Sequence, residues 1–201
     1  MFGLVSRPRR TSPSPRRRLL FLEQLEARDC PSSLTLNLIP GTMKNVTLSG
    51  DLAGAANNAG QTIQFNGQVS GKTTTDANGH YSITLQATGL GQITATDADG
   101  SSNSATVMLA SPPPTIQNFT VSDSYGVWTF SGQVLAPPSS TISLVLNDGG
   151  TFKNTQVTVG AGGNFSYSVQ LNSVDNTLVN CTATDQWGQS FTVVTIVSDA
   201  A

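Results

Sequence analysis

The sequence has few of the side chains on which catalytic and metal sites depend. Among its 201 residues are one histidine and two cysteines, and no glutamate follows Glu26. A zinc site needs several histidine, cysteine or carboxylate ligands in a fixed geometry, and no serine lies in a G-x-S-x-G nucleophile elbow. No apolar run approaches the roughly 20 residues of a membrane-spanning helix. These absences argue against hydrolytic catalysis, zinc binding and an integral membrane protein.

Charged residues are scarce after residue 31, and the two parts of the chain carry opposite net charges. All seven arginines lie at or before Arg28 with three acids, so residues 1–31 carry 7 − 3 = +4. The remainder has three lysines and nine aspartates, giving 3 − 9 = −6. A basic segment alone would suit nucleic acid, but an acidic body repels phosphate. We therefore expect no nucleic-acid partner.

Residues 1–31 are expected to be a disordered basic segment. Residues 1–18 combine proline, serine and arginine without apolar periodicity, which is typical of unfolded chain. An apolar stretch and good helix formers then indicate a helix of about ten residues that ends before Pro31. Such a short helix is marginal in water unless it packs against a partner.

The rest of the sequence reads as β-structure. Apolar and polar residues alternate in residues 34–38, 81–85 and 165–169, the pattern of strands with one buried face. Pairs such as Asn66-Gly67 and Asn78-Gly79 separate these runs and favour hairpin tips. Because no helical pattern interrupts the runs, the body is predicted to be all-β.

The body contains the same pattern twice, at offsets of 82, 84 and 88 residues. The matched segments are residues 46–51 and 128–133, 78–82 and 162–166, and 93–97 and 181–185. We predict two tandem Ig-like β-sandwiches, domain 1 at 32–111 and domain 2 at 115–199. The prolines at 112–114 are expected to form a semi-rigid spacer that holds the domains apart without a large interface.

Part of the basic segment resembles a known signature. In residues 16–32, arginines precede two leucine-glutamate pairs, a further arginine and Pro-Ser, which is similar to the LEPR-XLL-like N-terminal signature of secreted or surface proteins of planctomycete-type bacteria. The matching residues are Arg16, Arg17, Arg18, Leu22, Glu23, Leu25, Glu26, Arg28 and Pro31. The repeats resemble bacterial Ig-like modules. The resemblance implies a targeting role for the segment and an extracellular or cell-surface location.

The histidine and the cysteines are expected to have structural roles. His80 corresponds to Asn164 in the second repeat, so we favour a turn residue over a catalytic base. Cys181 aligns with Ile93, which predicts a buried thiol in a core strand. Cys30 lies in the basic segment, and we expect no disulfide between the two cysteines.

Two groups of residues are candidates for ligand binding. Asp97 and Asp99 place two carboxylates where a strand meets a turn, and calcium is a candidate ligand there; capping of the turn by aspartate is the alternative. Trp187, in a predicted turn, and Tyr125 are candidates for stacking on a sugar ring. Trp128 is expected in the core because its repeat partner is a valine.

We expect a non-catalytic cell-surface or secreted module for structure or adhesion, with no catalytic residue and no required cofactor. Sandwiches present polar loops and edge strands, and either can dock a protein or a glycan. The expected partner is thus a surface protein or a glycan. The alternative is a carbohydrate-binding or calcium-dependent module.

Overall fold

A computed structural model describes five ranges of the chain, residues 32–54, 57–98, 104–150, 153–171 and 176–198. The basic segment of residues 1–31, with its predicted disorder and short helix, lies outside the described residues. The described residues are built from antiparallel β-strands, with one 3₁₀ helix at Ala161–Gly163.

The strands fall into two groups along the chain. The first unit contains β1 Ser33–Leu34, β2 Asn37–Pro40, β3 Asn45–Ala53, β4 Thr62–Gly67, β5 Gly71–Thr74, β6 His80–Gln86, β7 Gly91–Asp97 and β8 Ser104–Leu109. The second unit contains β9 Thr115–Ser124, β10 Val127–Leu135, β11 Ile142–Asn147, β12 Thr155–Val157, β13 Asn164–Gln170, β14 Thr177–Asp185 and β15 Ser190–Val197.

Each unit is a sandwich of two sheets. In the first unit, β1 and β2 pair with successive parts of β3, and β6 pairs along the other edge of β3. The opposite sheet has the order β5-β4-β7-β8. The second unit repeats this plan with the sheets β9-β10-β13 and β12-β11-β14-β15. The described part of the chain is therefore all-β with two tandem Ig-like sandwiches, as predicted.

Each unit has its own core, to which both of its sheets contribute. The buried residues of the first core are Val46, Leu48, Leu52, Ile63, Phe65, Val69, Tyr81, Ala87, Ile93, Ala95 and Leu109. Those of the second are Ile116, Trp128, Phe130, Val134, Leu144, Leu146, Val157, Phe165, Leu171, Val179, Cys181, Ala183 and Val197. Trp128 and Cys181 lie in the second core, as the repeat alignment predicts. Burial of each large apolar side chain contributes about 1.5–3 kcal/mol.

The Ser-Gly pair that recurs in β3 and β10 has a steric cause. Gly50 lies against the carbonyl oxygen of Thr35 and the hydroxyl of Tyr81, which donates a hydrogen bond to that oxygen. A Cβ atom at Gly50 would collide with both groups. At the corresponding Gly132, a Cβ atom would lie 2.9 Å from the ring of Phe165. The glycine thus makes room for the aromatic residue near the start of β6 or β13.

The Asn-Gly pairs occupy different places from those predicted. Asn66 and Gly67 are the last residues of β4, where they pair with β7. Asn78 and Gly79 do form a turn, but it connects β5 in one sheet to β6 in the other, so it is not a hairpin tip. The pair marks backbone that reaches positive φ, here 98° at Gly67 and 87° at Gly79, and does not specify which strands flank it.

The prolines at 112–114 join the two units, which also touch at one turn of the second unit. The carbonyl oxygen of Ser111 accepts a hydrogen bond from the side chain of Gln189 at 2.9 Å, and Trp187 packs against the first core. Contacts therefore cross the junction at this turn, and the role of the prolines as a semi-rigid spacer stays a prediction. Three residues of polyproline helix span only about 9 Å, so a turn of the second unit reaches the first.

Candidate functional site at the junction of the two units

The second unit contacts the first through the turn that connects β14 to β15. In this junction turn, residues 185–189, the buried carboxylate of Asp185 accepts hydrogen bonds through Oδ1 from the backbone N–H groups of Trp187 and Gln189, both at 2.9 Å. Gly188 has φ 85°, which glycine adopts without a steric penalty. Aspartate and glycine thus set the backbone of the turn, and the other side chains are left for other contacts.

The first unit contains the same turn at residues 76–80. Oδ1 of Asp76 accepts hydrogen bonds from the backbone N–H groups of Asn78 at 2.8 Å and His80 at 2.9 Å. These two donors hold the pKa of Asp76 below its ordinary value because they stabilise the charged carboxylate. Gly79 takes the place of Gly188, with φ 87°. The sequence pattern Asp-x-x-Gly therefore favours this turn conformation in both units.

The candidate calcium ligands fall at a third Asp-x-x-Gly sequence. Asp97 is buried at the end of β7, whereas Asp99 lies outside the described residues. Within the described ranges, no three histidine, cysteine, aspartate or glutamate side chains are grouped closely enough to hold a metal ion. Asp97 corresponds to Asp185, which stabilises a turn. Calcium binding at Asp97 and Asp99 stays a prediction.

Three side chains of the junction turn contact the first unit at three different places. The amide of Gln186 makes two hydrogen bonds with the turn between β2 and β3: Nε2 donates to the Gly41 carbonyl at 3.3 Å, and Oε1 accepts from the Lys44 backbone N–H at 3.3 Å. Nε2 of Gln189 donates to the Ser111 carbonyl and, at 3.2 Å, to Oδ2 of Asp185. Trp187 packs on the first core.

The hydrogen bonds that the junction turn makes to the first unit join uncharged groups. They run between glutamine amides and backbone carbonyl or N–H groups, and the indole of Trp187 adds apolar contact. Screening by salt acts on charges, and amide and backbone groups carry none. These hydrogen bonds should therefore persist at high ionic strength.

The two stacking candidates have opposite environments. Trp187 is half-buried against the first core, and a ring packed within the chain argues against the predicted stacking role. Tyr125 is fully exposed in the turn between β9 and β10, with φ 55°. A left-handed conformation costs a non-glycine residue about 1–2 kcal/mol. The role of Tyr125 in ligand binding stays a prediction.

His80 pairs with Asp51 across β3 and β6. Nδ1 of His80 contacts Oδ1 of Asp51, and the two residues are opposite each other in the strand register. The hydrogen bond and the negative charge of Asp51 raise the pKa of His80 above its ordinary value. The side chains are 62% and 50% exposed, so the pair lies at the surface. In the second unit Gln133 and Asn164 take these positions. An acid-base pair is therefore not repeated there, and the contact of His80 with Asp51 is better explained as a cross-strand contact.

Cys181 is a free thiol in the second core. Burial raises its pKa to about 12, because the apolar surroundings disfavour the thiolate. A thiol that stays protonated is a poor nucleophile and a poor metal ligand. Cys30 lies outside the described residues.

A cavity of about 460 Å³ lies in the second unit beside the 3₁₀ helix. Val134, Pro137, Ile142 and Val159 form its apolar wall, and no histidine, cysteine or acidic side chain lines it. Nothing in its lining supplies a general acid or base.

The predicted targeting residues cannot be placed on this fold, since Arg16, Arg17, Arg18, Leu22, Glu23, Leu25, Glu26, Arg28 and Pro31 lie outside the described residues. Within the described ranges, no helix has the length and apolar character required to cross a bilayer.

No family model matches the sequence, and no curated protein matches it. Solved structures with a similar fold include bovine butyrophilin, at 10% identity and a TM-score of 0.32 over 83% of this chain and 99% of that one. The adhesin InvE of Yersinia pseudotuberculosis is 13% identical, with a TM-score of 0.37 over 83% of this chain and 58% of that one. The D0-D1 domain of intimin is 16% identical, with a TM-score of 0.31 over 84% of this chain and 92% of that one. At these values the similarities identify no function.

Proposed function

We propose that the chain is a non-catalytic structural or adhesion module of the cell surface or the secreted fraction. The observation that carries the proposal is the contact of two sandwiches through the junction turn. Two sandwiches in contact display the loops of both units on one scaffold. Loops on a rigid scaffold are the usual carriers of binding function. The partner is a surface protein or a glycan.

The chemistry of the described side chains supports a role without catalysis. The paired acid and base, Asp51 and His80, are both at least half exposed, and the thiol of Cys181 is buried. Catalytic groups are usually found in a cleft that shifts their pKa values toward the working pH. We therefore assign the chain no catalytic residue and no cofactor.

The cellular location is tested by expressing two chains, the full chain and one without residues 1–31. The host is a bacterium whose own surface proteins carry the LEPR-XLL-like signature. We expect the full chain in the envelope or the medium, where added protease cleaves it, and the shortened chain inside the cell. A matched control changes only Arg16, Arg17 and Arg18 to serine, which removes charge but keeps the length. An unchanged location of the shortened chain would contradict the targeting role.

A carbohydrate-binding role is the second candidate, favoured by the exposure of Tyr125. An exposed aromatic ring stacks on the apolar face of a sugar, and Tyr125 is held at a hairpin apex despite its left-handed φ. On an array of glycans, Tyr125→Ala should abolish any signal that the native chain gives. Met43→Ala is the matched control, since Met43 is 69% exposed in the corresponding turn of the first unit, with φ 54°. Equal signals from both variants would argue against Tyr125 as a stacking residue.

A further inference from the structure

The two copies of the repeat differ at the residues of the junction turn that touch the first unit. Aspartate and glycine recur at the same places in the sequences of residues 97–101 and 185–189. The three remaining positions change from Ala98, Asp99 and Ser101 in the first copy to Gln186, Trp187 and Gln189 in the second. The shared residues make the backbone of the turn, and the changed residues make the contacts across the junction.

We propose that Gln186, Trp187 and Gln189 form a docking element that fixes the orientation of the second unit on the first, so that the two sandwiches move as one rigid body. This inference rests on the proposed function as a structural module. It adds the mechanism by which the module keeps its shape.

The placement of the contacts explains why they fix an orientation. Gln186 binds the turn between β2 and β3, Gln189 binds the backbone of Ser111 at the end of the first unit, and Trp187 contacts the core. Two points of contact leave a rotation about the line that joins them, whereas a third point off that line removes it. The paired donor and acceptor of Gln186 also set the angle of its amide plane.

Burial strengthens the contacts of this docking element. Asp185, Gln186 and Gln189 are buried or half-buried, and each hydrogen bond across the junction makes a modest net contribution, because the separated groups would bond to water instead. The indole removes apolar surface of the first unit from water. Separation of the units would return that apolar surface to water and break the hydrogen bonds together, so the docked arrangement is favoured over a flexible pair.

The proposal is tested in the full chain with the turn of the first copy placed in the second. The variant Gln186→Ala, Trp187→Asp, Gln189→Ser keeps Asp185 and Gly188, so the turn itself should form. Residual dipolar couplings in a dilute alignment medium report the orientation of each unit. In the native chain one alignment tensor should fit the couplings of both units. In the variant we expect two tensors of unequal magnitude, because the units reorient independently.

Two further measurements keep the test decisive. Amide chemical shifts of β4 and β13, remote from the turn, show whether each sandwich of the variant stays folded. If the triple variant does not fold, Gln186→Ala with Gln189→Ala removes the hydrogen bonds across the junction and leaves Trp187 in place. A native chain that needs two tensors, or a folded variant that still needs one, overturns the proposal. Tensors are measured in solution, so this outcome is independent of where the cell places the chain.

Discussion

Replacing Asp185 by alanine removes the side chain that holds the junction turn together. Asp185 is 6% exposed, and its carboxylate accepts hydrogen bonds from two backbone N–H groups and from the amide of Gln189. Alanine would leave these donors without an acceptor. A hydrogen bond to a charged group contributes about 1.5–3 kcal/mol, and water entering the opened turn recovers part of it. We expect Asp185→Ala to lower the free energy of unfolding of the second unit by about 3 kcal/mol.

The measurement is urea denaturation of the full chain, followed by the amide signals of β14 for the second unit and of β4 for the first, since the units need not unfold together. The matched variant is Asp185→Asn, which keeps a carbonyl oxygen to accept the backbone hydrogen bonds. It should lose less than Asp185→Ala, because it keeps the two backbone hydrogen bonds in neutral form and loses the bond from the Gln189 amide. A loss below about 0.5 kcal/mol for Asp185→Ala, within the range of ordinary surface substitutions, would refute the role of the aspartate in the turn.

Three further predictions concern single sites. Gly50→Ala should destabilise the first unit by about 2–3 kcal/mol, measured by urea denaturation, because its Cβ would collide with backbone as well as side-chain atoms; a stability equal to that of the native chain contradicts the steric argument. His80, the single histidine, should titrate above 6.5 by NMR because Asp51 stabilises its charged form, and Asp51→Asn should lower that pKa. Because the pKa of His80 is higher in the folded than in the unfolded chain, the pair stabilises the fold below about pH 6.5. This contribution to the free energy of unfolding is lost as the pH rises through the folded-state pKa. In a Cys30→Ser variant, a thiol reagent should label Cys181 only when the second unit unfolds, so labelling at the rate of a free thiol would place the residue outside the core.

The fold could be predicted from the sequence because the signals are local and periodic. Alternation of apolar and polar residues places Val46 and Leu48 in the core, since successive side chains of a strand face opposite ways. Alignment of the copies then allows the burial of a residue to be predicted from its partner in the other copy, as for Cys181 from Ile93. Asn66-Gly67 failed as a hairpin tip because the pair reports only the local φ that the backbone can reach.

The site was harder to predict because it depends on contacts between the units. Trp187 lies in a turn, as expected, yet the sequence gives no information on what faces that turn. One signal was present: Asp and Gly recur between the copies while their neighbours change from small or acidic residues to Gln and Trp. That difference marks the turn as special in the second copy. The surface of the first unit that contacts this turn is formed partly by the backbone of Gly41 and Lys44. Backbone groups are present at every residue, so the sequence does not mark this surface.

The junction turn separates two tasks that most binding surfaces combine. Asp185 and Gly188 determine its conformation from within, whereas the residues at 186, 187 and 189 meet the neighbouring unit. Substitution at positions 186, 187 and 189 can therefore change the surface that the turn contacts while the conformation of the turn stays the same. A chain assembled from duplicated units can acquire a distinct interface at each joint by changing three residues, and neighbours in a longer array can be told apart by them.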